Sequence, residues 1–129
     1  MRRCRGEEGL TSTQLAVVMP AVIFLIMLIV QYGLWAHAKQ VASAAAGEGV
    51  HAGRVPGAAP TAAEQAARSF LAGAGNLDDI AVTVASGADS VTVRVDGQAP
   101  RLVPGISWKV AAVAEAPLEQ FVPENERGR

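Results

Sequence analysis

The strongest constraint on this chain is an uncharged apolar run near its amino end, which occupies residues 14–37 and reads QLAVVMPAVIFLIMLIVQYGLWAH. As a helix, its 22 residues from Leu15 to Ala36 would be roughly 33 Å long, slightly more than the ~30 Å hydrocarbon core of a bilayer. The remaining sequence has too few large apolar side chains to surround such a helix inside a soluble protein. The run therefore predicts one membrane-spanning helix, and a buried core helix is the alternative.

Flanking residues predict the orientation of this span. Three arginines lie among the first five residues, and positive charge favours the cytoplasmic side of a membrane. Tyr32 and Trp35 lie one turn apart near the other end, where aromatic rings prefer the headgroup level, and Lys39 follows them. We expect a single-pass protein of the cytoplasmic membrane, with its amino terminus in the cytoplasm and everything after Lys39 outside.

A secretory signal peptide is a second interpretation of this end, because it also begins with basic residues and Ala36-His37-Ala38 offers a small-x-small cleavage pattern. Its apolar region, however, should contain about 7 to 15 residues, and the run here is longer. Cys4 is the single cysteine, so it forms no intramolecular disulfide. It precedes the apolar run, whereas a lipoprotein cysteine would follow it, and we interpret it as a cytoplasmic thiol without a role.

Residues 38–53 are expected to continue the helix outside the membrane, because alanine is abundant there and proline is absent. Short side chains recur at helical spacing along one face, where they would let another backbone approach closely. The members of this face are Ala38, Val41, Ala42, Ala45, Gly49 and Ala52. We interpret the face as a packing surface for a partner subunit or for the chain's own domain, and ordinary alanine helix propensity is the open alternative.

Breaks in composition, together with a family resemblance that implies the first boundary at Gly9, divide the chain into six segments. Two prolines and a glycine between residues 54 and 60 break the helix, and the sequence PENERGR closes the chain with a charged stretch that we expect to be disordered. The predicted segments are a cytoplasmic leader at 1–9, a transmembrane helix at 10–37, a helical continuation at 38–53, a linker at 54–60, a small extracytoplasmic domain at 61–122 and a tail at 123–129.

A short helix is predicted at the start of that domain. Thr61 and Glu64 have the spacing of a capping box, and the alanine-rich sequence after them should remain helical to about Gly73. Phe70 and Leu71 are its large apolar side chains. We expect both to anchor the helix in the core.

Alternating apolar residues predict three strands, at 80–84, 91–95 and 106–112, with a hairpin turn at 86–89 between the first two. The most economical assembly is a three-stranded antiparallel sheet with the short helix across its valine-rich face and Trp108 as the largest core side chain. The predicted fold class is α+β, with a long amino-terminal helix followed by this small domain.

Charge and motif content argue against several function classes. With 11 basic and 12 acidic residues the net charge is -1, so no large basic surface is available for nucleic acid. His37 and His51 have no acidic or thiol ligand at metal spacing, and the aspartates fall at turns and strand edges. We therefore expect no enzyme activity, no cofactor, no metal site and no small-molecule substrate.

Several features of the amino-terminal half occur in a fixed order: a basic leader, Gly9, a polar residue five positions later at Gln14, an apolar helix with an early proline at Pro20, and a small-residue continuation. This order, over RGEEGLTSTQLAVVMPAVIFLIMLIVQYGLWAHAKQVASAAAGEGVHAGR, resembles that of TadE-like proteins, the pseudopilins of the tight-adherence (Flp, type IVb) pilus system. The ending VTVRVDGQAPRLVPGISWKVAAVAEAPLEQF is also similar to theirs. The resemblance implies a pilin-like fold, cleavage by a prepilin peptidase between Gly9 and Leu10, and partners among pilin-like subunits or pilus assembly proteins.

Gln14 departs from the family pattern, which has a glutamate at this position. In pilin-like proteins that carboxylate is thought to neutralise the terminal amine of a neighbouring subunit inside the membrane. A glutamine cannot do so, although its amide enters lipid more easily than a carboxylate. With this departure, the resemblance implies a minor or assembly subunit, and an interfacial polar residue is the alternative interpretation of Gln14.

Two functions remain open from the sequence. The first is a membrane-anchored TadE-like pseudopilin, a minor pilin or assembly subunit of a tight-adherence pilus or related secretion system, acting through helix packing and protein contacts. The second is a generic signal-anchored surface protein with a small binding domain and no leader processing. Removal of the leader would distinguish the first from the second.

Overall fold

The computed structural model describes residues 7–75 and 77–119, with side chains from Thr11 onward. Its elements are α1 (Glu7–Gly53), α2 (Pro60–Ala74), β1 (Asp78–Ser86), β2 (Ser90–Gln98) and β3 (Lys109–Pro117). Cys4, most of the predicted leader and the predicted tail at 123–129 lie outside the described residues. The α+β fold class predicted from the sequence is confirmed.

α1 is a single helix of 47 residues and therefore roughly 70 Å long. Pro20 lies inside it and does not end it, as expected for a residue that membrane helices tolerate. Large aliphatic side chains dominate residues 15–30, whereas alanine, glycine and serine dominate residues 38–53. The helix is thus continuous, but its two halves have different side-chain sizes.

The sheet has the order β1-β2-β3, and both pairs of strands are antiparallel. In the central strand, Val93 pairs with Val84 of β1 on one side and with Ala114 of β3 on the other. Val91, Val93 and Val95 alternate with more exposed residues and are almost completely buried. Period-two alternation therefore gives the sheet one apolar face.

The helix that covers the middle of this face is α1. An ideal Cβ on Gly53 would lie 3.1 Å from Cγ1 of Val91, and one on Gly49 would lie 3.0 Å from Cγ1 of Val93. Because residue numbers rise along α1 while they fall along β2, the two elements are antiparallel. α2 packs against α1 and reaches mainly β1. The short helix lies on the sheet as expected, but mainly over β1, and α1 shares the valine-rich face by covering β2 and β3.

α2 begins differently from the prediction. Its first residue is Pro60, whose fixed φ suits the first helical position, and Ala59 precedes it without a side-chain cap. Glu64 accepts a hydrogen bond of 2.8 Å from Arg68 one turn later, so it does not close a capping box with Thr61. The helix ends at Gly75, which adopts φ 65° and donates its N–H to the Leu71 carbonyl.

Three further local predictions need correction. Leu71 is buried as expected, but Phe70 is 38% exposed and does not anchor the core. The third strand begins at Lys109, so Trp108 belongs to the preceding loop and is only partly buried. Residues 110 and 112 still face the core, because a later start of the strand does not change the face to which each of its residues points.

Candidate membrane segment and its junction with the domain

The first half of α1 presents large apolar side chains in all directions. Between residues 15 and 30 most large hydrophobic side chains are exposed, from 42% at Val22 to 70% at Val17, while Met27 and Leu28 are half-buried. α1 is long and apolar enough to cross a membrane, and none of its most apolar 18-residue window is buried in the protein. A soluble core helix would be covered by the rest of the chain, and this one is not.

The exposed half ends at Gln31, which is 1% exposed. Its amide nitrogen donates a 3.1 Å hydrogen bond to the carbonyl of Pro100, and its amide oxygen accepts a 2.9 Å bond from the N–H of Leu102. Both partners belong to the connection between β2 and β3, residues 99–108, which we call the proximal loop. One side chain of α1 therefore holds the proximal loop on both sides of Arg101.

Trp35 makes the next contact, one turn further along α1. Its indole N–H donates a 3.3 Å hydrogen bond to the carbonyl of Lys109, and its ring meets Trp108 edge-on with centroids 6.2 Å apart. The Tyr32 ring lies 5.8 Å away on the other side, and the Lys39 ammonium lies 5.3 Å from the Trp35 centroid. Aromatic and cationic groups are thus gathered where the exposed half of α1 meets the domain.

These contacts bear on where the lipid ends. In the last part of the predicted span, Gln31 is buried and Trp35 half-buried where they contact the segment from Pro100 to Lys109, although Tyr32 remains exposed. Irregular backbone is not exposed to lipid within the hydrocarbon layer, because its N–H and C=O groups would lack partners there. For an α1 that spans a membrane, the hydrocarbon layer would therefore extend no further than the level of Gln31.

The predicted packing face lies in the other half of α1. Ala38, Ala42 and Ala45 have no exposed surface and form part of the domain's core. Gly49 is so close to α2 that an added Cβ would meet the backbone oxygen of Ala63 at 3.0 Å. In this structure the face is occupied by the chain's own α2 and sheet. The small side chains are what allow that approach.

The remaining predicted residues lie apart from this junction. Gln14 is exposed near the start of α1, and Gly9 and Leu10 form part of its first turns, where side chains are not described. His37 and His51 are both exposed. Among the described residues, no three His, Cys, Asp or Glu side chains are grouped so that they could hold a metal ion.

Among the described residues, shifted pKa values occur at Arg94 and Asp96, on the outer surface of the sheet. Arg94 donates hydrogen bonds of 2.8 and 3.0 Å to the carboxylate of Asp96. These bonds lower the pKa of Asp96 below its ordinary value, because they favour the charged carboxylate. The pair is solvent-exposed and lies on a strand, so it has the geometry of a surface ion pair.

Comparison with known protein families finds a match for most of α1. Residues 9–51 match the model of the family described as TadE-like protein. This segment is TadE-like. The match covers both the exposed and the covered half of α1, so the resemblance predicted from the sequence is confirmed over that range. Neither the curated proteins nor the solved structures contain a significant match to the chain.

The family match and the exposed apolar helix together support a membrane-anchored protein whose amino-terminal segment is TadE-like. The family is a pilus-associated structural one and is not known for enzymatic activity. Sequence reasoning missed one residue at the junction, Gln31. Its signal was a polar amide in an otherwise apolar run, but its partners lie 69 and 71 residues away in the chain.

Proposed function

We propose that this protein is a pseudopilin-like assembly subunit of a tight-adherence pilus or a related secretion system. In this role the first half of α1 lies in the cytoplasmic membrane, with its amino end in the cytoplasm, and the domain lies outside. The protein acts through contacts with other pilin-like subunits or pilus assembly proteins. The observation that carries the proposal is a TadE-like helix whose large-residue half is mostly exposed while its small-residue half forms part of a domain's core.

The length of the anchor supports leader cleavage between Gly9 and Leu10 by a prepilin peptidase. From Leu10 to Val30 there are 21 residues, which as a helix span roughly 31 Å, close to the ~30 Å hydrocarbon layer, with the polar residues 11–14 at its cytoplasmic boundary. This segment ends directly before the Gln31 junction. A mature chain that begins at Leu10 would therefore fill the hydrocarbon layer without drawing the proximal loop into it.

The junction also argues against secretory cleavage after Ala38. Gln31 and Trp35 both precede that position, and both hold the loop that joins β2 to β3. Cleavage there would remove these two contacts from the domain. The packing therefore favours a retained anchor over a signal peptide.

The fate of Cys4 provides a sharp test of processing. Cys4 is the only cysteine and lies in the predicted leader, so cleavage after Gly9 would produce a protein with no thiol. We expect the membrane-bound protein, purified from cells that contain a prepilin peptidase, to lose the mass of nine residues and to resist thiol labelling. Gly9→Leu should block both changes while leaving the protein in the membrane.

The other outcomes of this experiment are equally informative. An intact, thiol-reactive protein in the membrane would favour the alternative, a signal-anchored surface protein with a small binding domain. A soluble product that begins at Lys39 would contradict the anchor itself. Each outcome has a different mass, so one spectrum of the purified protein distinguishes them.

Gln14 tests whether the membrane segment associates with partners. We expect Gln14→Glu to leave insertion unchanged and to alter crosslinking with co-expressed pilin-like subunits, because a carboxylate could face a neighbouring terminal amine in lipid. Gln40→Glu is the matched control, since Gln40 is also exposed but lies beyond the junction. An identical crosslinking pattern for all three proteins would make Gln14 a passive interfacial residue.

A further inference from the structure

The proximal loop is the end of the domain that faces the exposed half of α1. α1 and β2 are antiparallel, so contacts shift from Gly53 with Val91 to Gly49 with Val93 and then toward the start of the helix. The chain leaves β2 at Gln98, and its next partners on α1 are near Gln31 and Trp35. The turn at residues 86–89, which we call the distal turn, lies at the opposite end of the same hairpin.

Gln31 fixes the position of the proximal loop along the axis of α1. The side chain bonds both the Pro100 carbonyl and the Leu102 N–H, and it directly follows Val30, which is 45% exposed at the end of the apolar run. A helical residue advances only about 1.5 Å along the axis. The loop therefore begins where the anchor's exposed apolar surface ends.

The loop has a shape and composition that suit a membrane surface. Arg101 is exposed, and the adjacent Leu102 is 43% exposed despite the bond made by its backbone. The next residues form a turn in which Gly105 has φ 86° and the Ile106 N–H bonds the Val103 carbonyl at 3.4 Å. Proline and then glycine at the centre of this turn fit type II geometry, which stiffens the loop.

The physical chemistry of the bilayer limits where such a loop can lie. Lipid-exposed loops do not occur in the hydrocarbon layer, but the headgroup layer supplies water and polar groups for the backbone. Tryptophan rings prefer that layer, and the chain's two tryptophans, Trp35 and Trp108, meet edge-on beside this loop. An exposed arginine next to an exposed leucine can bind a lipid phosphate while the leucine contacts acyl chains.

We infer that the proximal loop is a second membrane contact, formed by the domain on the same bilayer that holds α1. Leu102 reaches the boundary of the acyl chains, and Arg101 binds lipid phosphate. The occupant is the lipid surface because the loop is joined by hydrogen bonds to the helix that enters it. The inference rests on the proposed membrane anchoring, and the experiment separates the two.

The test places an environment-sensitive nitrobenzoxadiazole label on the full-length chain in vesicles of phosphatidylcholine and phosphatidylglycerol. Cys4→Ser removes the native thiol, and single cysteines are then introduced as Leu102→Cys, Val22→Cys or Ala88→Cys. Val22 lies in the exposed half of α1, and Ala88 is an exposed residue of the distal turn. Lipids with a nitroxide near the headgroup serve as quenchers.

We expect the label at position 102 to emit at shorter wavelength than the label at position 88 and to be quenched several-fold more strongly. If position 22 is quenched by nitroxides deep in the acyl chains while position 102 behaves like position 88, the loop inference is overturned and the anchor stands. If position 22 also behaves like position 88, the proposed anchoring fails. A shifted but unquenched label at position 102 would indicate a protein neighbour and would also overturn the inference.

A measurement on the unmutated chain guards against disturbance by the label. All tryptophan emission comes from Trp35 and Trp108, which both lie at the junction. Headgroup-level nitroxides should quench this emission more strongly than nitroxides deep in the acyl chains. The reverse order, or no quenching in vesicles where position 22 is inserted, would place the junction away from the headgroups and contradict the inference.

Discussion

The two halves of α1 are parts of one uninterrupted helix, yet they meet opposite surroundings. Residues 15–30 carry mainly large aliphatic side chains, and most of them are exposed. Residues 38–53 carry mainly alanine and glycine, and Ala38, Ala42 and Ala45 are fully buried. Apolar character alone therefore does not distinguish an anchor from a core helix in this chain.

Side-chain size accounts for the difference. Lipid chains adapt to any apolar surface, so a helix in a bilayer can keep large side chains on every face. A helix pressed against a sheet and a second helix must instead let backbones approach, which excludes large side chains at the contacts. Gly49 shows the limit, because its contacts with Ala63 and Val93 leave no room for a Cβ without displacement.

The largest expected effect comes from removing the covered half of α1. We predict that a fragment of residues 31–129 unfolds cooperatively in solution, whereas a fragment of residues 54–129 does not, because it lacks the alanine-lined half of its core. Thermal unfolding followed by circular dichroism measures both. A sharp transition above ~65 °C for the shorter fragment would show that its sheet and α2 are self-sufficient.

The next effect compares two glycines in the same half of α1. Gly49→Leu should destabilise the full-length protein by about 3 kcal/mol or more, because backbone atoms of Ala63 cannot move aside as a flexible side chain could. Gly47→Leu is the matched control, since a Cβ added to Gly47 would have no neighbouring atom within 4 Å. It should be neutral or stabilising by about 0.5 kcal/mol, through helix propensity. Denaturant unfolding in detergent micelles, monitored by tryptophan emission, would contradict this contrast if both variants behaved alike.

A smaller effect is expected at the junction itself. Gln31→Leu keeps the apolar character of the helix but leaves the Leu102 N–H and the Pro100 carbonyl without their partner. We expect a loss of about 1 to 3 kcal/mol of local stability. Hydrogen exchange at the Leu102 amide should become roughly tenfold faster. Gln40→Leu, at an exposed position of the same helix, should leave this exchange unchanged, and equal rates in both variants would show that the junction does not hold the loop.

The smallest effect belongs to the outer face of the sheet, which α1 does not touch. Because the folded-state pKa of Asp96 is lowered, its pairing with Arg94 adds stability above the unfolded pKa of ~3.9 and loses it as pH falls through the folded value. Asp96→Asn should therefore differ slightly from the native protein at neutral pH and match it in acid. Solvent screening keeps the difference small. Unfolding curves across this pH range would contradict the assignment if the gap widened in acid.

The apolar exposed half of α1 and the three-stranded sheet could be predicted from the sequence, because both depend on local properties. The uncharged run predicted an exposed apolar helix, and the valine alternation predicted a three-stranded sheet. Val91, Val93 and Val95 fall where period two places them. The predicted fold class required no contact between distant residues, so composition and periodicity were sufficient.

The errors arose where distant contacts decide the outcome. Tyr32, Trp35 and the residues around them have the composition of a membrane interface, and their contact with a loop about seventy residues away has no local signal. How α1 and α2 share one sheet face was not predicted for the same reason. α1 covers β2 and β3 with its smaller side chains, α2 lies mainly over β1, and Phe70 of α2 is partly exposed.

The continuity of α1 through the junction has a mechanical consequence. Between Gln31 and Gly53 the helix extends roughly 33 Å, and no joint separates this stretch from the half that precedes it. A force on the distal turn is therefore transmitted along a continuous helix, and the domain would rotate about a point near Gln31. With the proposed membrane anchoring, sideways load on the distal turn would be converted into tilt of the first half of α1, and twisting of the domain would turn that half through the same angle.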